Sequence, residues 1–138
     1  SLEDLFAVLI TKCSSILQPK QHKTAERDSM LYIQFRNAVE QNFRNVHTVS
    51  EYGKLLHVSP KALNATSHTF SGISALEFIH ARLLIESKRQ LSYTNKPVKQ
   101  IAYELQFTDA AHFNKFFKLK TGLTPQEYKQ QSNTSAIH

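Results

Sequence analysis

Apolar residues recur at three- and four-residue steps along most of the chain, and no segment alternates convincingly at period two, so the pattern predicts an all-α protein. Leu2, Leu5, Phe6, Leu9, Cys13, Ile16 and Leu17 put one apolar stripe along a helix at Ser1–Leu17, on which Cys13 reads as a small core hydrophobe. Gln18–Arg27 is polar, holds Pro19 and lacks periodicity; residues 19–28 therefore read as a linker. Asp28 or Ser29 then caps a helix from about Met30 to Asn45, with Leu31, Phe35, Val39, Phe43 and Val46 along its buried ridge.

Helix starts are written clearly from there on. Thr48-Val49-Ser50-Glu51, Ser74-Ala75-Leu76-Glu77 and Thr124-Pro125-Gln126-Glu127 are capping boxes, in which hydroxyl and carboxylate satisfy each other's end of the helix. Ser59-Pro60 places a capping hydroxyl before a proline at the first helical position. Asn95-Lys96-Pro97 and Thr108-Asp109 start two more helices, and Gly72 and Gly122 stand where helices end. About seven helices follow the linker, and residues 132–138 read as a frayed polar tail.

Two stretches resemble each other: Val49–Phe78 matches Val98–Tyr128 at an offset of 49, becoming 50 after one extra residue in the second copy. Leu56 pairs with Leu105, Val58 with Phe107, Ser59 with Thr108, Leu63 with Phe113, Asn64 with Asn114, Gly72 with Gly122, and Ser74 and Glu77 with Thr124 and Glu127. Each copy is a short helix, a turn with an apolar plug, a capped second helix and a glycine stop, the layout of a helix-turn-helix. Between them Ser74–Tyr93 predicts a linking helix roughly 30 Å long, close to the ~34 Å between successive major-groove faces of B-DNA. Leu76, Ile79, Leu83 and Leu84 form its apolar face and also suit plain packing of two small cores.

Charge sharpens the picture. The 138 residues hold 17 basic and 11 acidic side chains, net +6, and the excess is concentrated after residue 48. Lys88, Arg89, Lys96, Lys99, Lys115, Lys118 and Lys120 face only Glu104 and Asp109 between residues 88 and 120. This suits a polyanion partner, and equally a solvated basic surface. One cysteine excludes an internal disulfide and cysteine-rich zinc sites. The longest apolar run, Leu5–Ile10, is too short to span a bilayer, and a start at Ser1 suggests a piece of a longer protein.

Helical faces then nominate site residues. In the first recognition helix Leu63, Thr66, Ser67 and Phe70 share one side, opposite Lys61, Asn64, Ala65 and His68. In the second, Phe113, Phe116 and Phe117 face the core; Ala111, Asn114, Lys115 and Lys118 face out, with His112 at the flank. Lysine donates to guanine, asparagine bonds adenine in two places and alanine meets a thymine methyl. The candidate base readers are therefore Lys61, Asn64, Ala111, His112 and Lys115. Lys54, Ser59, Lys99, Thr108 and Lys118 are candidate phosphate contacts near helix ends, where free amides also favour anions. None of the seven histidines pairs at metal-ligand spacing, Cys13 has no histidine nearby in sequence, and no glycine-rich phosphate loop occurs. We expect no catalysis, metal or cofactor.

Ile101-Ala102, Leu105, Phe107, Asp109, Phe113, Phe116-Phe117-Lys118, Gly122, Thr124-Pro125 and Tyr128 together resemble the second-motif signature of the AraC/XylS family of bacterial transcription regulators. Leu56, Val58-Ser59-Pro60, Leu63 and Gly72 are similar to its first motif, and Arg82-Leu83-Leu84 with Glu86-Ser87-Lys88 to its linking helix. The chain departs from the family's usual residues at Gln106 (glycine before the turn phenylalanine), Lys129 (arginine), Ala65 (a basic residue) and Ser67 (an apolar one). Over residues 29–131 the resemblance implies two helix-turn-helix units joined by a long helix, binding adjacent major grooves of double-stranded DNA in the bacterial cytoplasm. It implies RNA polymerase as a further partner, and a separate regulatory domain of which residues 1–18 would be the last helix and a dimer contact. A helical module docking an acidic protein, and charge-driven RNA binding, are the competing readings.

Overall fold

A computed structural model describes the backbone of residues 19–137 and the side chains of residues 26–132. The stripe at Ser1–Leu17 lies outside the described residues. Seven helices and no strand make up the described chain: α1 (Pro19–Asn42), α2 (Val49–Leu56), α3 (Pro60–Ser71), α4 (Ala75–Tyr93), α5 (Val98–Glu104), α6 (Ala110–Thr121) and α7 (Pro125–Ile137).

Two boundaries differ from the sequence reading. α1 continues back to Pro19, through the stretch read as a linker. Pro19 fits a first helical position, and the residues after it are mostly good helix formers; a helix with little apolar contrast leaves no periodic trace. Asp28 is a helical residue rather than a cap, and its carbonyl accepts the Thr66 hydroxyl at 2.6 Å. At the other end α7 runs to Ile137, through the stretch read as frayed, since neither glycine nor proline follows Pro125.

Four of the hydroxyl caps form as read, whereas Asn95 makes no cap bond at α5, whose N-cap is Pro97. Thr48, Ser59 and Ser74 accept the amides of Glu51, Ala62 and Glu77 through their side chains. Thr124 and Glu127 bond each other reciprocally at 3.0 and 3.1 Å. Gly72 and Gly122 close α3 and α6 at φ 80° and 83°, the left-handed region where a Cβ would be strained.

α1, α2 and α3 gather around Phe35, Val39, Phe43, Tyr52 and Leu63. Thr66 and Ser67 are buried on the inner face of α3, and Ser67 donates to the Ile73 carbonyl at 2.8 Å, which satisfies a hydroxyl where an apolar residue would otherwise stand. Phe70, read with the same face, is 41% exposed and stacks on Tyr32 at 5.5 Å. α5, α6 and α7 gather around Ile101, Leu105, Phe113 and Phe117. Phe107, the plug of the second turn, touches Phe113 and Phe116 at 5.0 and 5.3 Å.

α4 joins the two groups, packing on helices of both and burying Ile79, Leu83 and Leu91, while Leu76 is exposed. α1 is tied to it by charge: Glu40 holds Arg82 through two bonds of 2.7 and 3.0 Å, and Arg82 lies 4.0 Å over the Phe43 ring. Glu86, nearly fully buried, accepts from Arg44, Arg89 and Gln90 at 2.8 to 3.0 Å.

Candidate nucleic-acid interface

α3 and α6 are the second helices of the two motifs, each held by its buried face. Leu63 and Thr66 fix α3, and Phe113 and Phe117 fix α6. The opposite faces carry the candidates. Lys61, Asn64 and Ala65 are exposed on α3, and Ala111, His112, Asn114, Lys115 and Lys118 are exposed on α6.

Two candidates have partners that the sequence did not reveal. Asn64 turns its side-chain oxygen to the Ala75 amide, the first N–H of α4, at 3.1 Å. That oxygen is also the one that two-point bonding to adenine would use, so in this structure Asn64 caps the start of α4. The matching residue of the second motif, Asn114, faces a different neighbour: Pro125 stands where Ala75 does and has no N–H. Asn114 is thus exposed without that duty, which the wheel alone could not say.

Thr108 lies before the N-terminus of α6, but the cap is Asp109, whose carboxylate accepts the His112 amide at 2.8 Å. An aspartate there satisfies the amide that an incoming phosphate would use and repels a second anion, so Thr108 is the weakest of the phosphate candidates. Ser59, Lys54, Lys99 and Lys118 are exposed near their helix ends as expected, the Ser59 oxygen accepting only the Ala62 amide.

His47, His80 and His112 converge on one cleft of about 280 Å³ with Phe107, Phe116 and Lys115. Burial holds the His47 and His80 imidazoles below their ordinary pKa, and nearby positive charge adds to this: His112 at His47, and Lys120 at His80. These two are half-buried rather than surface histidines. Among the described residues no group of three histidine, cysteine, aspartate or glutamate side chains is placed to hold a metal ion. None of the described helices is long and apolar enough to cross a membrane.

The two motifs meet beside α4. The connection between α1 and α2 runs against the turn between α5 and α6, where Gln106 Nε2 donates to Asn45 Oδ1 at 2.7 Å and the His47 ring lies 5.5 Å from Phe107.

The same two-motif arrangement occurs in solved structures. The C-terminal domain of the two-component response regulator yesN from Fusobacterium nucleatum superposes with a TM-score of 0.64 over 70% of this chain and 94% of its own, at 23% identity. An AraC-type regulator from Chromobacterium violaceum matches with a TM-score of 0.64 over 80% and 96%, at 17% identity. In sequence, the bifunctional transcriptional activator/DNA repair enzyme AdaA of Bacillus subtilis is 31% identical over 68% of this chain and 44% of its own length. The HTH-type transcriptional regulator YijO of Escherichia coli is 26% identical over 92% and 44%. The chain thus spans less than half the length of these curated relatives. A family model for a helix-turn-helix domain matches residues 52–131, more than half of the chain, and with the fold this places the protein in the AraC-type helix-turn-helix family of transcriptional regulator DNA-binding domains.

Proposed function

We propose that the chain is the sequence-specific DNA-binding part of a bacterial transcription regulator working in the cytoplasm, and that α3 and α6 enter adjacent major grooves on one face of a duplex. The observation that carries this is the pairing of two buried-backed, outward-faced helices through α4. Its 19 residues make a bridge of roughly 29 Å, close to one turn of B-DNA. Lys61 on α3 and Ala111, His112, Asn114 and Lys115 on α6 are the base readers. Lys54, Ser59, Lys99 and Lys118 contact phosphates, with Thr108 marginal beside Asp109. RNA polymerase contact, and pairing of two copies through Ser1–Leu17, belong to the longer protein.

Selection from a random duplex pool tests the reading. It predicts an enriched bipartite site with half-elements about 10 base pairs apart. Absence of enrichment, with tight binding to an acidic protein instead, replaces it with a protein-docking module.

A further inference from the structure

We propose that Gln106 is a clasp: through Asn45 it holds the two motifs at the relative angle that adjacent grooves demand, which makes it a positioning residue for DNA spacing. The inference rests on the two-groove reading above.

Two non-glycine residues of the described chain have positive φ, His57 at 58° and Gln106 at 60°. They occupy the same place in the two motifs, just before the turn plugs Val58 and Phe107. The left-handed conformation strains any residue with a Cβ, and glycine would relieve both turns. The two side chains differ in what they reach. The His57 ring is exposed and makes no hydrogen bond. Gln106 spans 61 positions of sequence to bond Asn45 in the first motif. An exposed amide-to-amide bond adds only modest folding stability in water; what it fixes is position. Each motif packs on α4, so the axis of that helix is their shared attachment. The Asn45–Gln106 bond, beside the His47–Phe107 contact, is a second attachment away from that axis. Rotation is what DNA spacing reads, because one base pair turns the far groove by roughly 35°.

The test compares the wild type with Gln106→Gly, Asn45→Ala and, as a control, His57→Gly. The first readout needs no DNA: the distance distribution between spin labels at Lys61→Cys and Lys118→Cys, in a Cys13→Ser background. It should be narrow in the wild type and His57→Gly, and broader in Gln106→Gly and Asn45→Ala. The second is affinity for the selected bipartite site against the same site lengthened by one base pair. Gln106→Gly and Asn45→Ala should each lose roughly fivefold of that preference, the effect of one modest hydrogen bond, while His57→Gly keeps it. Thermal unfolding separates strain from clasping: His57→Gly should melt about 4 °C higher, and Gln106→Gly should gain less because it also loses Asn45. Equal label widths in all four proteins, with the spacing preference intact, overturn the clasp. Broadening in the two clasp variants while the wild type itself ignores spacing supports the clasp and removes the two-groove reading instead.

Discussion

Asn64 and Asn114 show how far a single residue can be read from sequence. A helical wheel places both on exposed positions of their helices, because direction follows from the 3.6-residue repeat alone. The wheel says nothing of a partner 11 positions away, and Asn64 accepts the Ala75 amide. Asn64→Ala should therefore cost about 1 kcal/mol of folding stability, the usual loss for a helix cap, and leave base preference unchanged. Asn114→Ala should alter preference at one position and leave the melting temperature alone. Thermal melts beside a selection profile check both, and the reverse assignment would restore Asn64 as the reader. Lys115, a proposed base reader, is exposed on α6 where the first motif has Ala65. Lys115→Ala should cost roughly 1–3 kcal/mol on the selected site and relax one or two positions. Ala65→Arg should tighten binding mostly without regard to sequence. Equal losses for Lys115→Ala on selected and random duplexes would make Lys115 a phosphate contact.

Whole elements were legible where they were amphipathic and capped, and less so where neither held. Ser59, Ser74 and Thr124 fixed three helix starts in advance, whereas the first turns of α1 carry no apolar stripe to betray them. The ties of α1 and the residues just after it to α4 were equally silent, because Glu40 and Arg82, and Arg44 and Glu86, are each 42 positions apart. Glu86 is the element-scale test. Its carboxyl is drawn down to about 2, first by the Arg89 hydrogen bond and then by Gln90 and the arginine charges, against the cost of burial. Glu86→Ala removes the buried end of this network, leaving Gln90 and two half-exposed arginines without it, and should destabilise the fold by about 1–3 kcal/mol. Denaturant unfolding measures it. The same groups set the acid limit. The unfolded chain protonates His47 and His80 below about pH 6.5, whereas the folded chain does so only lower. The unfolded state binds more protons in that window, so stability is full above it and falls on acidification through it. Glu86 adds a second loss, beginning near its unfolded pKa of 4.5 and continuing toward about 2. Melting temperature followed from pH 8 to pH 3, each about one unit apart, should show both. His80→Leu should flatten the upper step, and a melting temperature that holds steady between pH 7 and roughly pH 5 would exclude the histidine contribution.

At the scale of the molecule, the repeat and the linking helix announced two motifs, while the basic excess suited a polyanion and a solvated surface equally. The junction at Asn45 and Gln106 stayed hidden, since neither residue type marks a contact 61 positions away. What binds the duplex as a whole is charge. Each phosphate neutralised by a lysine should add about 0.9 to the slope of log affinity against log salt. Lys99 on α5 and Lys118 on α6 stand exposed on separate elements of the second motif, and among the described residues neither takes part in an ion pair. Lys99→Ala and Lys118→Ala should each lower the slope by roughly one unit, the double variant by about two, with the preferred sequence unchanged. Lys96 supplies the comparison, because its ammonium is already paired with Glu104 at 2.8 Å. Lys96→Ala should move the slope less than either. Hydroxyls release little counterion, so Ser59→Ala should weaken affinity with the slope nearly constant. A module docking an acidic protein would also weaken in salt, but its response on DNA would not follow these lysines one by one. If Lys99→Ala and Lys118→Ala leave the DNA slope intact, the placement of the second motif against the phosphates is wrong.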